Sequence, residues 1–242
     1  AIEASGALVR YDPDLVSQAW LRRYHSQRRY SLIGIAHASA STNAMQAIGD
    51  YLAAPLQSWD ALICPSAAIR SAVAHIIDGW GEYLGARFGA DLSCPVQLPV
   101  IPLGVDTARM ATVTGEAKRQ SQRRALALSD NEIAILYVGR LNYVAKANPL
   151  ALFIAAEETA KRSSRPVRVL LNGYFNDDVN EDAFMEAANA ILDVAKLQII
   201  RHGDEDFPDG VWAAADIFCS LSDNIQESFG LTPVEAMAAG LP

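Results

Sequence analysis

The chain has 242 residues, about half of them apolar, and a formal net charge of −8, enough to bury one large core or two modest ones. No window approaches the ~20 apolar residues of a membrane span and no signal-peptide pattern opens the chain, while the acidic balance argues against a nucleic-acid binder, which normally shows a basic face. Three cysteines (Cys64, Cys94, Cys219), with no CxxC pair, imply neither a disulfide framework nor a zinc site; each follows or lies within an apolar segment, so buried thiols in a reducing cytoplasm are expected.

Along the chain, short β-branched runs alternate with longer helical ones. A helix is predicted over 12–29, where Asp12 suits a cap and Pro13 the first turn. The strand SLIGIAH (31–37) follows, then a helix over 41–54, the strand ALICP (61–65) and a helix over 66–88. VQLPVIPLG (96–104) reads as a strand running into a crossover. Beyond it come a helix over 115–128, the strand EIAILYVGR (132–140), a helix over 148–163 and the strand RVLLNG (168–173). A helix over 179–195, the strand LQIIRHG (197–203), a helix over 207–215 and the strand DIFCSLS (216–222) lead to a last helix opening near Thr232 and Pro233. Strands that are apolar throughout suit a parallel sheet covered on both faces, and this alternation predicts an α/β, doubly wound architecture.

The segment LPVIPLGVD (98–106), with two prolines and a glycine, divides the chain into an expected first domain over 1–105 and a second over 106–242. An ordinary strand with a proline-tightened loop is the alternative. The first domain offers only about three strands, fewer than a doubly wound sheet usually has. The second stops on Gly-Leu-Pro where another strand is due, so both are expected to be incomplete versions of the pattern.

Several motifs are absent. Without GxGxxG after a strand or GxxxxGK[ST], dinucleotide-binding and P-loop readings lose their main support; GxSxG and HExxH are missing too. Of the four histidines, His25 and His75 are expected inside helices and His202 after a strand. His37 closes the strand SLIGIA, and carboxyl ends of parallel strands are where ligands bind in such sheets. Position alone suits equally a histidine that ties down a loop.

In LYVGRLNYVAKANP (136–149) an apolar strand runs into Gly139-Arg140, followed by a loop with Lys146. Arginine grips phosphate oxygens in a fork and lysine adds a compact charge, so the pair reads either as a diphosphate clamp or as a solvated loop. In QESFGLTPVEAMAAGLP (226–242) the backbone N–H groups near Phe229, Gly230 and Leu231 open a helix, where anions bind. Glu227 and Glu235 flank that start. Generically such acids offset the helix macrodipole; beside a diphosphate they also hydrogen-bond sugar hydroxyls, which points to a nucleotide-sugar.

Glu227-x7-Glu235 within ESFGLTPVEAMAAGLP closely resembles the EX7E signature of retaining GT-B-fold glycosyltransferases, the large family 4-like, "glycosyl transferases group 1" set that includes sucrose and bacterial-type glycogen synthases. VGRLNYVAK resembles their VGRL…K phosphate-binding segment, LPVIPLGVD their interdomain IPNGVD, and ADIFCSLSDNIQESFG their ADVFVLPSxxEGFG strand and loop. ALICPSAAIR (61–70) is similar to the strand and helix that end their N-terminal domain. The resemblance implies a GT-B-like pair of Rossmann-like domains, 1–105 on the acceptor side and 106–242 binding the donor.

It further implies that Arg140 and Lys146 hold the donor diphosphate, that Glu235 binds ribose hydroxyls, and that Glu227 faces the donor sugar. The Phe229, Gly230 and Leu231 amides would meet the sugar or phosphate, and His37 would contact the sugar. The implied reaction moves a sugar from a UDP-, GDP- or ADP-sugar to a carbohydrate, lipid or small-molecule acceptor with retention, without cofactor or metal. The loop Asn142–Asn148 departs from the pattern by lacking its acid-Lys-Gly. A nucleotide-sugar-binding module without turnover and a nucleotide-sugar epimerase on the same fold are the competing readings.

Overall fold

The computed structural model describes residues 6–37, 39–143, 146, 148–201, 210–221 and 227–242. It divides into two compact units: one runs through Leu103 and includes Glu227–Phe229, and the other begins at Gly104 and includes Gly230–Pro242. Each carries its own all-parallel sheet.

In the first unit the strands β1 (Ala7–Val9), β2 (Ser31–Ile35) and β3 (Ala61–Ile63) lie in that order. They alternate with helices α1 (Val16–Arg23), α2 (Thr42–Gly49, continued by a 3-10 turn over Asp50–Leu52) and α3 (Ala67–Phe88). β1 escaped the sequence reading because three residues are too few to set up a period. Helix α1 is shorter than the expected 12–29. Asp12 does not cap it: its carboxylate pairs with Arg10 and accepts the Asp14 N–H, and Asp14 accepts the Val16 N–H, so two side-chain turns precede the helix. The helix ends at Arg23, which leaves His25 in a turn, whereas His75 lies in α3 as expected. Ser41 and Ser66 cap α2 and α3 by accepting the N–H three residues on, the ordinary way an orphan amide is satisfied.

The expected strand over 96–104 does not form. Gln97 and Val100 make only isolated bridges to Ala61 and Cys64; Pro99 and Pro102 supply no N–H, so no ladder can continue through them. The chain runs beside β3 through single bonds, Leu62 N–H to Gln97 O and Cys64 N–H to Pro99 O, both 2.9 Å.

In the second unit the strands β4 (Ile133–Val138), β5 (Val167–Gly173), β6 (Lys196–Arg201) and β7 (Ile217–Phe218) are ordered β6-β5-β4-β7. Helices α4 (Thr107–Val113), α5 (Glu116–Ala125), α6 (Leu150–Arg162), α7 (Asp178–Ile191), α8 (Val211–Ala214) and α9 (Leu231–Ala238) complete it. Helix α4, capped by Asp106 on the Arg109 N–H, lies between the expected crossover over 98–106 and the expected helix over 115–128, where the sequence reading places no element.

The apolar runs of β4 and β5 now have a reason. Ile135 and Tyr137, with Val167, Val169 and Leu171, pack against α6 and α7 through Phe153, Ala156 and Phe184. The alternate residues Ala134, Leu136 and Leu170 pack on the opposite face with Met110, Val211, Trp212 and Ala236. Both faces are buried, so alternation between apolar and polar residues is absent. Each fully buried leucine contributes about 1.5–3 kcal/mol.

Of the thiols only Cys64 is fully buried; Cys94 and Cys219 are half-buried, and burial raises all three above the ordinary thiol pKa. Among the described residues no helix is long and apolar enough to cross a membrane.

Charged groups are buried too, at the amino-terminal edges of the sheets. Arg22 and Asp60 are both fully buried and pair bidentately at 2.6 and 2.7 Å. Asp60 also accepts the Leu32 and Gln57 N–H groups, each at 2.8 Å. Removing one partner leaves the other charge buried and unpaired, so Asp60→Asn is expected to destabilise the first unit by about 3–5 kcal/mol, measured by urea unfolding.

Candidate functional site

The second unit's parallel strands deliver their carboxyl ends to one edge. Past β4 the chain does not leave β5: Gly139 N–H bonds to Asn172 O at 3.0 Å and Leu141 N–H to Tyr174 O at 2.9 Å. Leu141 is fully buried, which fixes the chain on either side of it. The Arg140 carbonyl accepts the Tyr137 hydroxyl at 3.3 Å. Arg140 as a whole is half-buried, and no carboxylate among the described residues pairs with its guanidinium. A cation at a strand end that faces no carboxylate among the described residues is suited to an anionic ligand.

This path requires glycine at 173. A Cβ there would lie 1.9 Å from the Gly139 carbonyl oxygen, so a side chain would push the Arg140 segment off β5. The loop that follows is moored to α7. The Tyr143 N–H bonds to Asn180 Oδ1 at 3.1 Å, the Tyr143 hydroxyl bonds to Ala183 O at 3.2 Å, and the ring meets Phe184 edge-on at 4.9 Å. Asn180 is itself held by Asp177, which caps α7; the Asn180 N–H is the main reason the Asp177 carboxyl sits below its usual pKa. Lys146 is half-buried, with its N–H on Asn142 O at 3.2 Å. Val144, Ala145 and Ala147 lie outside the described residues, as does His202.

Helix α9 opens at Gly230, whose φ of +78° is a left-handed conformation natural to glycine. No side chain caps the helix. Leu231 and Thr232 occupy its first two positions and Pro233 the third, where the missing N–H costs nothing. The opening amides therefore have no intrahelical acceptor. Glu235, half-buried, lies one turn in, and Ala236 behind it anchors the helix in the core.

In the first unit His37 lies two residues beyond β2 and is exposed, its N–H on Ile35 O at 3.0 Å. Glu227 is exposed and Phe229 half-buried. Two serines, neither singled out by the sequence reading, bring Glu227–Phe229 to the strand ends. Ser228 Oγ donates to the His37 carbonyl at 3.0 Å, and Ser66 Oγ donates to the Ser228 carbonyl at 2.7 Å. The six residues 221–226 that precede this segment include five, 222–226, outside the described set. A separate cavity of about 680 Å³ lies between α3 and the chain after it, lined by Gly81, Gly85, Asp91 and Leu92 among others; it contains none of these residues. No group of three or more His, Cys, Asp or Glu side chains suited to a metal occurs among the described residues.

Comparison with known proteins gives the family and the fold. Residues 118–242 match the family described as "Glycosyl transferases group 1". D-inositol 3-phosphate glycosyltransferase of Rhodococcus erythropolis is 29% identical over 157 residues, 64% of this chain and 33% of that protein. The protein of the same name from Gordonia bronchialis is 30% identical over 154 residues, 57% and 32% of the two chains. This chain thus spans about a third of the length of the curated relatives it matches.

Among solved structures, Anabaena HepE in complex with UDP superposes with a TM-score of 0.70 at 17% identity, covering 100% of this chain and 59% of HepE. OtsA without ligand superposes with a TM-score of 0.67 at 15% identity, covering 96% and 55%. The fold is that of GT-B glycosyltransferases.

The close approach at Gly173 gives a direct check on the site's architecture. Gly173→Ala is expected to destabilise the second unit by about 1–3 kcal/mol, the range for overpacking, and to displace Arg140. Thermal melting measures the first effect and the Arg140 amide chemical shift the second.

Proposed function

Since the chain belongs to the glycosyl transferases group 1 family, matched over residues 118–242, we propose that it binds the donor of a reaction that transfers a sugar from a nucleoside diphosphate to an acceptor, with retention at the anomeric carbon and without a metal. The observation that carries this reading is Arg140: a half-buried cation at the carboxyl end of β4, held by backbone bonds on both sides and facing no carboxylate among the described residues.

The roles follow from chemistry. As the bond to the sugar breaks, negative charge accumulates on the departing diphosphate. Arg140, Lys146 and the amides of Phe229, Gly230 and Leu231 stabilise it electrostatically, with donors fixed before the reaction begins. Glu235 accepts hydrogen bonds from ribose hydroxyls. Glu227 and His37 face the transferred sugar, Glu227 as a positioning and charge-stabilising carboxylate. HepE is bound to UDP in one structure and to UDP-glucose in another, which makes UDP the first nucleotide to test here, before GDP and ADP. A carbohydrate, lipid or small-molecule acceptor completes the reaction, and a reducing, cytoplasmic setting suits the three free cysteines.

Calorimetry with UDP, GDP and ADP tests the assignment. Arg140→Ala is expected to weaken binding of the nucleoside diphosphate by about 1.5–3 kcal/mol, the worth of hydrogen bonds to a charged group. Glu235→Gln should weaken the free nucleotide and the whole donor alike, whereas Glu227→Gln should spare the free nucleotide and depress turnover, because its contact is with the transferred sugar and strengthens further towards the transition state. Unchanged affinity in Arg140→Ala, or equal loss of nucleotide affinity in both glutamate variants, would contradict these roles.

A further inference from the structure

Ser66 and Ser228 are unused by the reading above, yet they occupy the ends of two adjacent strands. His37 lies two residues beyond β2 and Ser66 three beyond β3, and the two strands pair in register, Ile35 with Ile63. Ser228 reaches both ends. Its hydroxyl donates to the His37 carbonyl and its own carbonyl accepts the Ser66 hydroxyl. Ser66 Oγ simultaneously accepts the Ile69 N–H at 3.2 Å, capping the 22-residue helix α3.

A residue bonded through both its side chain and its carbonyl has little freedom to rotate. Its neighbours Glu227 and Phe229 inherit that direction.

We propose that Ser66 and Ser228 are positioning residues that form a two-bond clamp, holding the Glu227 carboxylate and the His37 turn in one fixed relation for contact with the transferred sugar. This rests on the reading of Glu227 and His37 as sugar contacts, and it adds two residues on which the chain's preference for a sugar-bearing donor over the bare nucleotide depends. The clamp does not touch the diphosphate, so its loss separates the two ligands.

The test compares affinities for a nucleoside diphosphate and its glucose ester, using whichever of UDP, GDP and ADP the chain binds most tightly. In Ser228→Ala the extra affinity for the glucose ester should fall by about fivefold to tenfold, the worth of one hydrogen bond, while affinity for the bare nucleotide stays within about twofold. Ser66→Ala should act likewise, with some loss of thermal stability from the uncapped helix, and Ser66→Thr should restore both. Ser228→Ala leaves the helix cap intact, so the clamp is tested even where Ser66→Ala folds poorly. An undiminished preference in Ser228→Ala overturns the clamp while leaving the proposed function standing, as does a wild-type chain that binds both ligands equally. A wild-type chain that binds none of the three nucleotides removes the proposed function and the clamp with it.

Discussion

An aspartate at the amino-terminal edge of each sheet, paired with arginine and bonded to a neighbouring strand, is the constraint from which the rest of the structure follows. In the first unit Asp60, one residue before β3, accepts the Leu32 N–H of β2 and both arms of the buried Arg22. In the second Asp216, one residue before β7, accepts the Ala134 N–H of β4 at 2.8 Å and pairs with Arg119 and Arg123. Burial works to raise the Asp216 carboxyl pKa, but the Ala134 N–H and the two guanidinium groups outweigh it and hold the group below its usual range. Arg123 also donates through Nη1 to the Ala214 carbonyl and through Nη2 to the Ser129 and Glu132 carbonyls, while its buried Nε meets no acceptor among the described residues. Half-buried Arg168 closes the same edge on Glu132 and Gln198.

The consequence is an asymmetry between the two edges of the second unit's sheet. At the amino-terminal edge each of these charged groups has partners within the protein, and strand starts are fixed in register. At the carboxyl-terminal edge Arg140 faces no described carboxylate and α9 begins without a side-chain cap. Arg140 and the opening amides of α9 thus leave hydrogen-bonding capacity on the side where parallel sheets take ligands. Glutamate 157 illustrates the satisfied kind of buried acid: it accepts the N–H groups of Asp193, Val194 and Ala195 and fixes the turn into β6. The Ala195 N–H is the main reason its carboxyl sits below the ordinary pKa.

How far the sequence discloses this depends on the range of the interaction. Strands β4 and β5 are legible because two buried faces leave a continuous apolar run, and Arg140 is legible because it follows glycine at a strand end. Serine caps at 41 and 66 are local signals and mark helix starts well. Arg22 and Asp60 are not legible: an arginine in a helix and an aspartate before a strand read as surface, and only their meeting 38 residues apart makes them core. The same holds for Gly173, whose need for a bare Cα comes from the Gly139 carbonyl, and for Ser66 and Ser228, 162 residues apart. The segment 96–104 reads as a strand by its apolar content, but its prolines forbid a ladder.

The account stands on donor binding at the carboxyl edge of the second sheet, and amide hydrogen exchange with and without UDP, GDP or ADP probes that edge residue by residue. Bound nucleotide should slow exchange at Gly230, Leu231 and Thr232, whose N–H groups open α9, and leave Ala134, already bonded to Asp216, unchanged. Slowing confined to the amino-terminal edge, or no slowing at the start of α9 with nucleotide bound, would contradict it.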